Sequence, residues 1–234
     1  MFGFLGIPVP PSAGNASLAS EADAYSSLLD RLNVTSKVAV IGYSVGGPSS
    51  IEFALRHADR TSSLILVSAI VHHIQPPSAM DINNQLHDAM LKSDFLMWLT
   101  TKYLQPTFVT FFAVTPELKA GLSPQDNAWV SNVVIPSLLP ISEREPGISH
   151  HTTDFARINY PLEQIRVPTL IIDAKDDLGP PANAMFSTSP SHSAYAAEKT
   201  PNAVHIEYAT GGHLLFGHER EAKAAIMKFI GQYQ

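Results

Sequence analysis

The pentapeptide Gly42-Tyr43-Ser44-Val45-Gly46 lies where two opposed backbone patterns meet. Before it, Val38 to Ile41 is a short β-branched run that reads as a buried strand. After it, roughly Gly46 to His57 reads as a helix. A strand that turns directly into a helix brings neighbouring backbone close on both sides, and the flanking glycines (with Gly47 beyond) leave room for it. A second apolar run, Ser63 to Ser68, follows as another strand. Strand, helix, strand in this order marks a parallel sheet joined by crossover helices, so the chain reads as α/β. The turn also places Ser44 at a helix amino terminus, where free N–H groups and the helix dipole favour developing negative charge.

The same grammar brackets the rest of the chain. Upstream, Leu18 to Leu32 carries Ala22, Tyr25, Leu28, Leu29 and Leu32 at helical spacing, with Ser20, Glu21 and Asp23 at its start. Downstream, Pro168 introduces Thr169 to Asp173 as a strand, followed by a polar loop and a helix ending near Lys199. Val204 to Tyr208 reads as a strand, a Gly-Gly turn follows, and Glu219 to Gln232 is an amphipathic terminal helix. Val71 to Val167 differs in texture, with no convincing strand and with Leu91, Phe95, Leu96, Trp98, Leu99, Tyr103 and Leu104 at helical spacing. We therefore expect a core in two parts, residues 1–70 and 168–234, with residues 71–167 as a helical insertion laid over the sheet. Aromatic residues in that insertion are expected to pack as core. An acyl pocket lined by Trp98, Phe108, Phe111 and Phe112 is the alternative, which periodicity does not separate from core.

Composition narrows the functions open to such a fold. Among 234 residues, 45% are hydrophobic and 15% charged, enough apolar material for one substantial core. The net charge of -6, without clustered Lys and Arg, argues against a nucleic-acid partner. The absence of cysteine removes disulfides, thiolate metal sites and a cysteine nucleophile, and it suits a reducing, cytoplasmic setting. The opening residues lack a basic leader and are broken by Pro8, Pro10 and Pro11, so they read poorly as a signal peptide. The run Leu64 to Val71 is too short to span a bilayer.

Ser44 fits the G-x-S-x-G pattern of a serine nucleophile on a tight turn, and a serine hydroxyl needs a base. Of the ten histidines, His213 is set apart by Gly211-Gly212-His213-Leu214-Leu215 directly after a strand, from where it can point over the sheet toward Ser44. His218, five residues on, is a weaker candidate at the start of the last helix. The pairs His72-His73 and His150-His151 suggest metal ligands, but adjacent side chains seldom face one site and no acidic ligand spacing accompanies them, so no metal and no cofactor is expected. A third group, a carboxylate, would fix the imidazole tautomer, and Asp173, Asp176 and Asp177 all end or follow one strand. The order Ser, Asp, His is that of the hydrolases with a strand-to-helix nucleophile turn. The G-x-G-x-x-G spacing of a nucleotide-binding turn is absent from Gly42 to Gly47.

With these residues in place, the chain resembles the α/β-hydrolase fold family over essentially its whole length. Gly42 to Pro48 resembles the family's elbow, Phe53-Ala54-Leu55-Arg56-His57 its next helix, and Leu64 to Ser68 its next strand. Val167 to Asp177 resembles the acid-bearing segment, Gly212-His213 the histidine loop, and the segment before Val167 stands where the family places a helical cap. The resemblance implies Ser44 as nucleophile, His213 as base, Asp177 as the acid, and the backbone N–H of Val45 as one oxyanion donor. Asp176 is the second choice for the acid, or a brace for the loop. The substrate implied is a small, fairly apolar ester or related acyl compound; carbon–carbon hydrolysis and cofactor-free peroxidation run on the same site type, and an aspartate nucleophile is disfavoured by the serine. In the family, several strands and a His-Gly-type loop precede the segment that Phe2-Gly3-Phe4-Leu5-Gly6 resembles. The resemblance thus leads us to expect an N-terminally shortened core, a truncated product or incomplete gene model, with the second oxyanion donor missing and activity impaired, unless the opening segment substitutes. It also leads us to expect the strand Lys37 to Ile41 as a bare apolar edge. A weak or inactive small-molecule-binding member of the fold is the competing expectation.

Overall fold

The β-branched run at Val38 forms β1 (Val38–Tyr43), and the later apolar runs form β2 (Thr61–Val67), β3 (Thr169–Ala174) and β4 (Val204–Tyr208). The computed structural model describes residues 17–73, 89–103, 116–145, 157–177 and 189–233. Its four strands make one sheet in the order β1-β2-β3-β4, and every pair is parallel. All residues of β2 and β3 are buried, which explains their unbroken apolar character, since helices cover both faces of a parallel sheet.

The boundaries differ from those read in the sequence for local reasons. β1 runs on past Ile41 to Tyr43, because Gly42 keeps its place in the ladder opposite Leu66. β2 stops at Val67, since Ser68 takes a positive φ of 44° and leaves the strand. Between β1 and β2, α2 (Gly47–Arg56) starts one residue later than expected, behind a single 3-10 turn. Ahead of β1, α1 (Leu18–Arg31) is capped by Ser17 rather than by Ser20. Ser20 N–H donates to Ser17 Oγ at 3.1 Å, and Ser17 N–H donates to Ser20 Oγ at 2.8 Å, a reciprocal cap. Helix α1 is tied to α2 by Ser49 Oγ donating to Glu21 at 2.8 Å and by Arg56 on Asp23 at 2.6 Å.

Side-chain alternation splits the core. Leu64, Leu66 and Ile171 face one side with Ile51 and Ala54 of α2 and Ala196 of α6 (Ser189–Lys199). Ile65, Val67, Leu170 and Ile172 face the other side with Ala222 and Phe229 of α7 (Glu219–Tyr233). Among the described residues β1 pairs only with β2, and Ile41 on it is 41% exposed.

Among the described residues, the segment between β2 and β3 has helices and no strand: α3 (Asp94–Tyr103), α4 (Pro116–Gly121) and α5 (Pro124–Trp129), then a π turn and a 3-10 turn. The core role expected for its aromatics fails on α3. Met97 and Thr101 are buried there, whereas Phe95 is 64% and Tyr103 63% exposed. Apolar side chains ring this helix, so periodicity does not choose the inner face. Lys102 covers the Trp98 ring, with Nζ 4.7 Å from its centroid. Trp98 itself lines a shallow surface cleft with Asp94, Phe95, Leu139 and Pro140. Phe108, Phe111 and Phe112 lie outside the described residues.

Candidate active site

The turn after β1 holds Ser44 in the left-handed region, at φ 52°, a conformation a non-glycine residue adopts at a cost. Ser44 opens the 3-10 turn Ser44–Gly46, from which α2 begins. Gly42 is required by contact: a Cβ there would stand 2.7 Å from Ser50 Oγ and 3.0 Å from the Gly46 carbonyl. The tightest position lies outside the pentapeptide. A Cβ on Gly47 would collide with the carbonyl oxygen of Ile70, in the chain that leaves β2. That chain is also bonded to the turn, with Ile70 N–H donating to the Ser44 carbonyl at 3.0 Å. Val45 is half-buried and packs against Leu18, Ile70 and Ile158.

His213 sits in the 3-10 turn Gly212–Leu214 after β4. Gly211 and Gly212 carry φ of 132° and 57°, which explains two glycines before the histidine. His213 Nδ1 lies 2.9 Å from Asp177 Oδ2, with Asp177 only 2% exposed. A carboxylate on Nδ1 favours the tautomer that leaves Nε2 unprotonated.

The three aspartates have three separate destinations. Asp177 meets His213. Asp176 accepts the N–H of Gly211 at 3.1 Å and of Gly212 at 2.8 Å, so it braces the backbone that presents His213. Asp173 is fully buried and turns to His205 of β4, with Oδ1 2.7 Å from Nε2. Burial raises the Asp173 pKa, and the hydrogen bond to Asp173 raises that of His205. Nothing in the sequence marks this second acid–histidine pair, because His205 reads as one polar position in an alternating strand.

The other histidines lie elsewhere. His218 stacks on Tyr208 at 4.1 Å and bonds Glu221 of α7. His72 stacks on the buried His192 at 3.9 Å, and His192 Nδ1 accepts the Val71 N–H at 3.3 Å. Burial is the main cause pushing His192 down to about 3. Among the described residues no cluster of histidines and acids is arranged to hold a metal ion, and His150 and His151 fall outside them.

No hydrogen bond joins Ser44 to His213; the two are brought to one end of the sheet through Tyr43. Its hydroxyl donates to the His213 carbonyl at 2.6 Å, and its ring centroid lies 5.4 Å from the imidazole's. Nothing in the sequence marks Tyr43, which occupies a variable position of the G-x-S-x-G pattern. The helical segment reaches the same loop, since Trp129 meets Phe216 edge-on at 6.2 Å and Val130 and Ile135 pack beside it.

A parallel sheet with a serine turn, an aspartate and a histidine at the carboxyl ends of β1, β3 and β4 defines a class. The family model described as alpha/beta hydrolase fold matches residues 8–219, and the chain belongs to that family. Solved structures agree on the fold. An alpha/beta hydrolase fold protein from Nakamurella multipartita is 22% identical with a TM-score of 0.66, covering 92% of this chain and 75% of that one. A probable hydrolytic enzyme from Pseudomonas aeruginosa PAO1 is 21% identical with a TM-score of 0.64, over 93% and 70% of the two chains. A thermophilic esterase from Thermogutta terrifontis is 20% identical with a TM-score of 0.56, over 94% and 75%. No curated protein matches the chain. Among the described residues, no helix is long and apolar enough to cross a membrane.

Proposed function

We propose that this chain is a serine hydrolase acting on an ester or related acyl bond of a small, fairly apolar molecule. The observation that carries the reading is the 2.9 Å contact of His213 Nδ1 with the buried Asp177, on a loop bonded to the serine turn. In the reaction, Ser44 Oγ attacks the carbonyl carbon while His213 Nε2 takes its proton. Asp177 keeps the imidazole oriented and stabilises its cation. The Val45 N–H donates to the oxyanion, and the alcohol leaves with the proton held by His213. Water then attacks the acyl-enzyme, with His213 again as base, and frees Ser44. The helices of residues 71–167 act as a cap, a role supported by the Trp129–Phe216 contact. The cysteine-free composition supports a cytoplasmic setting.

A fluorophosphonate probe should label wild-type protein at Ser44, and Ser44→Ala should lose both labelling and turnover of p-nitrophenyl acetate. Unlabelled folded protein, or turnover unchanged in Ser44→Ala, overturns the reading. The second reading is a hydrolase-fold protein that binds a small molecule without cleaving it. It calls for saturable ligand binding without labelling by the probe.

A further inference from the structure

Among the described residues, one side-chain hydrogen bond links the strand that leads into Ser44 to the histidine loop. Tyr43 OH donates to the His213 carbonyl at 2.6 Å, across a sequence separation of 170 residues. The Tyr43 ring packs with the cluster of Ile65, Val67, Leu170 and Ile172, so the hydroxyl is carried by the sheet rather than by a loop. The residue it holds is the residue whose ring must meet Ser44.

We propose that Tyr43 is a positioning residue that sets His213 over Ser44. The proposal rests on the reading of Ser44 and His213 as nucleophile and base. Among the described residues, three side chains hydrogen-bond to the stretch Gly211 to His213, and they differ. Asp176 fixes the N–H groups of Gly211 and Gly212, which precede the histidine. Asp177 fixes the ring through Nδ1. Among the described residues, Tyr43 supplies the hydrogen bond from the strand that leads into Ser44 to this loop, so it bears on the position of base relative to nucleophile rather than of base relative to acid. Burial, and secondarily the Asp177 charge, raise the Tyr43 pKa well above its ordinary value, so the phenol keeps its proton and remains a donor.

Tyr43→Phe keeps the ring and removes the donor. We expect kcat toward p-nitrophenyl acetate to fall about tenfold with KM nearly unchanged, as a shift in the reacting geometry requires. Amide exchange should quicken at Gly212, His213 and Leu214 and stay unchanged along β1 and β2. Site-specific 4-aminophenylalanine at position 43 restores a donor at the same reach and should recover most of kcat and of the loop protection. Unchanged kcat in Tyr43→Phe overturns the proposal. So does an equal loss of protection through β1 and β2, which is the mark of general packing damage, and so does failure of the amino analogue to recover either readout. If wild-type Ser44 proves unreactive, the functional reading fails on its own. The exchange arm then still decides whether Tyr43 holds the loop.

Discussion

Asp177 and Asp176 are adjacent in the sequence and chemically identical, yet they act on different parts of one loop. Asp177 accepts from the imidazole, whereas Asp176 spends both oxygens on backbone N–H groups. A carboxylate-to-amide change separates these duties. Asp177→Asn keeps the shape but presents an N–H to Nδ1, which favours the wrong tautomer. We expect kcat to fall by about 10³–10⁴ with little change in KM or Tm, measured by steady-state kinetics and thermal melts. A loss below about tenfold would assign the acid to another residue. Nothing in the three side chains alone told Asp173, Asp176 and Asp177 apart. Resemblance to the family's acid-bearing segment ranked Asp177 first; geometry then showed Asp173 turned to another partner and Asp176 turned to the backbone. The role of Tyr43 was not legible, since it depends on a contact with a loop 170 residues away.

Strands β3 and β4 are joined by more than their ladder. Asp173 on β3 bonds His205 on β4, and its second oxygen, Oδ2, is buried without a hydrogen-bond partner. Glu207, opposite Asp173 in register, is held by Lys175 at 3.2 Å, and the Glu207 and Asp177 charges also act on Asp173. His205 has a folded pKa raised above 6.5, so its stabilising contribution is full below that pH and is lost as pH rises through the folded value. Asp173 is also raised, so its contribution likewise falls as pH rises. Urea unfolding should therefore show stability declining as pH rises above 6.5, and His205→Gln, which keeps an N–H donor but does not titrate, should flatten that slope. Parallel slopes for the two proteins would exclude the pair as its source. At this scale the strands were largely legible, because β-branched runs meeting glycine or proline leave few alternatives. Helix α3 was not, because Phe95 and Tyr103 are as apolar as the buried Met97, so composition does not point to a face.

Across the molecule, Ser44, Asp177 and His213 follow β1, β3 and β4, so these three residues gather at the carboxyl ends of a parallel sheet, where sites form in such topologies. The cost of this arrangement falls on β1, which leads into Ser44 and, among the described residues, pairs on one side only. With Ile41 41% exposed there, we expect the strand to favour edge-to-edge pairing on heating. Ile41→Lys should lower light scattering on heating and leave Tm within a few degrees; scattering equal to wild type would show that this edge is not the contact. The turn at Ser44 also separates two demands that a protein normally fuses. At position 47 the Ile70 carbonyl leaves no room for a Cβ, so the glycine is held by the fold itself. At position 44 a left-handed backbone would be eased by glycine, so on the proposed reading it is chemistry that keeps a serine there. On the proposed reading, a lineage that abandoned catalysis would be free to change position 44 while keeping Gly47, which makes this pair of positions a test of that reading.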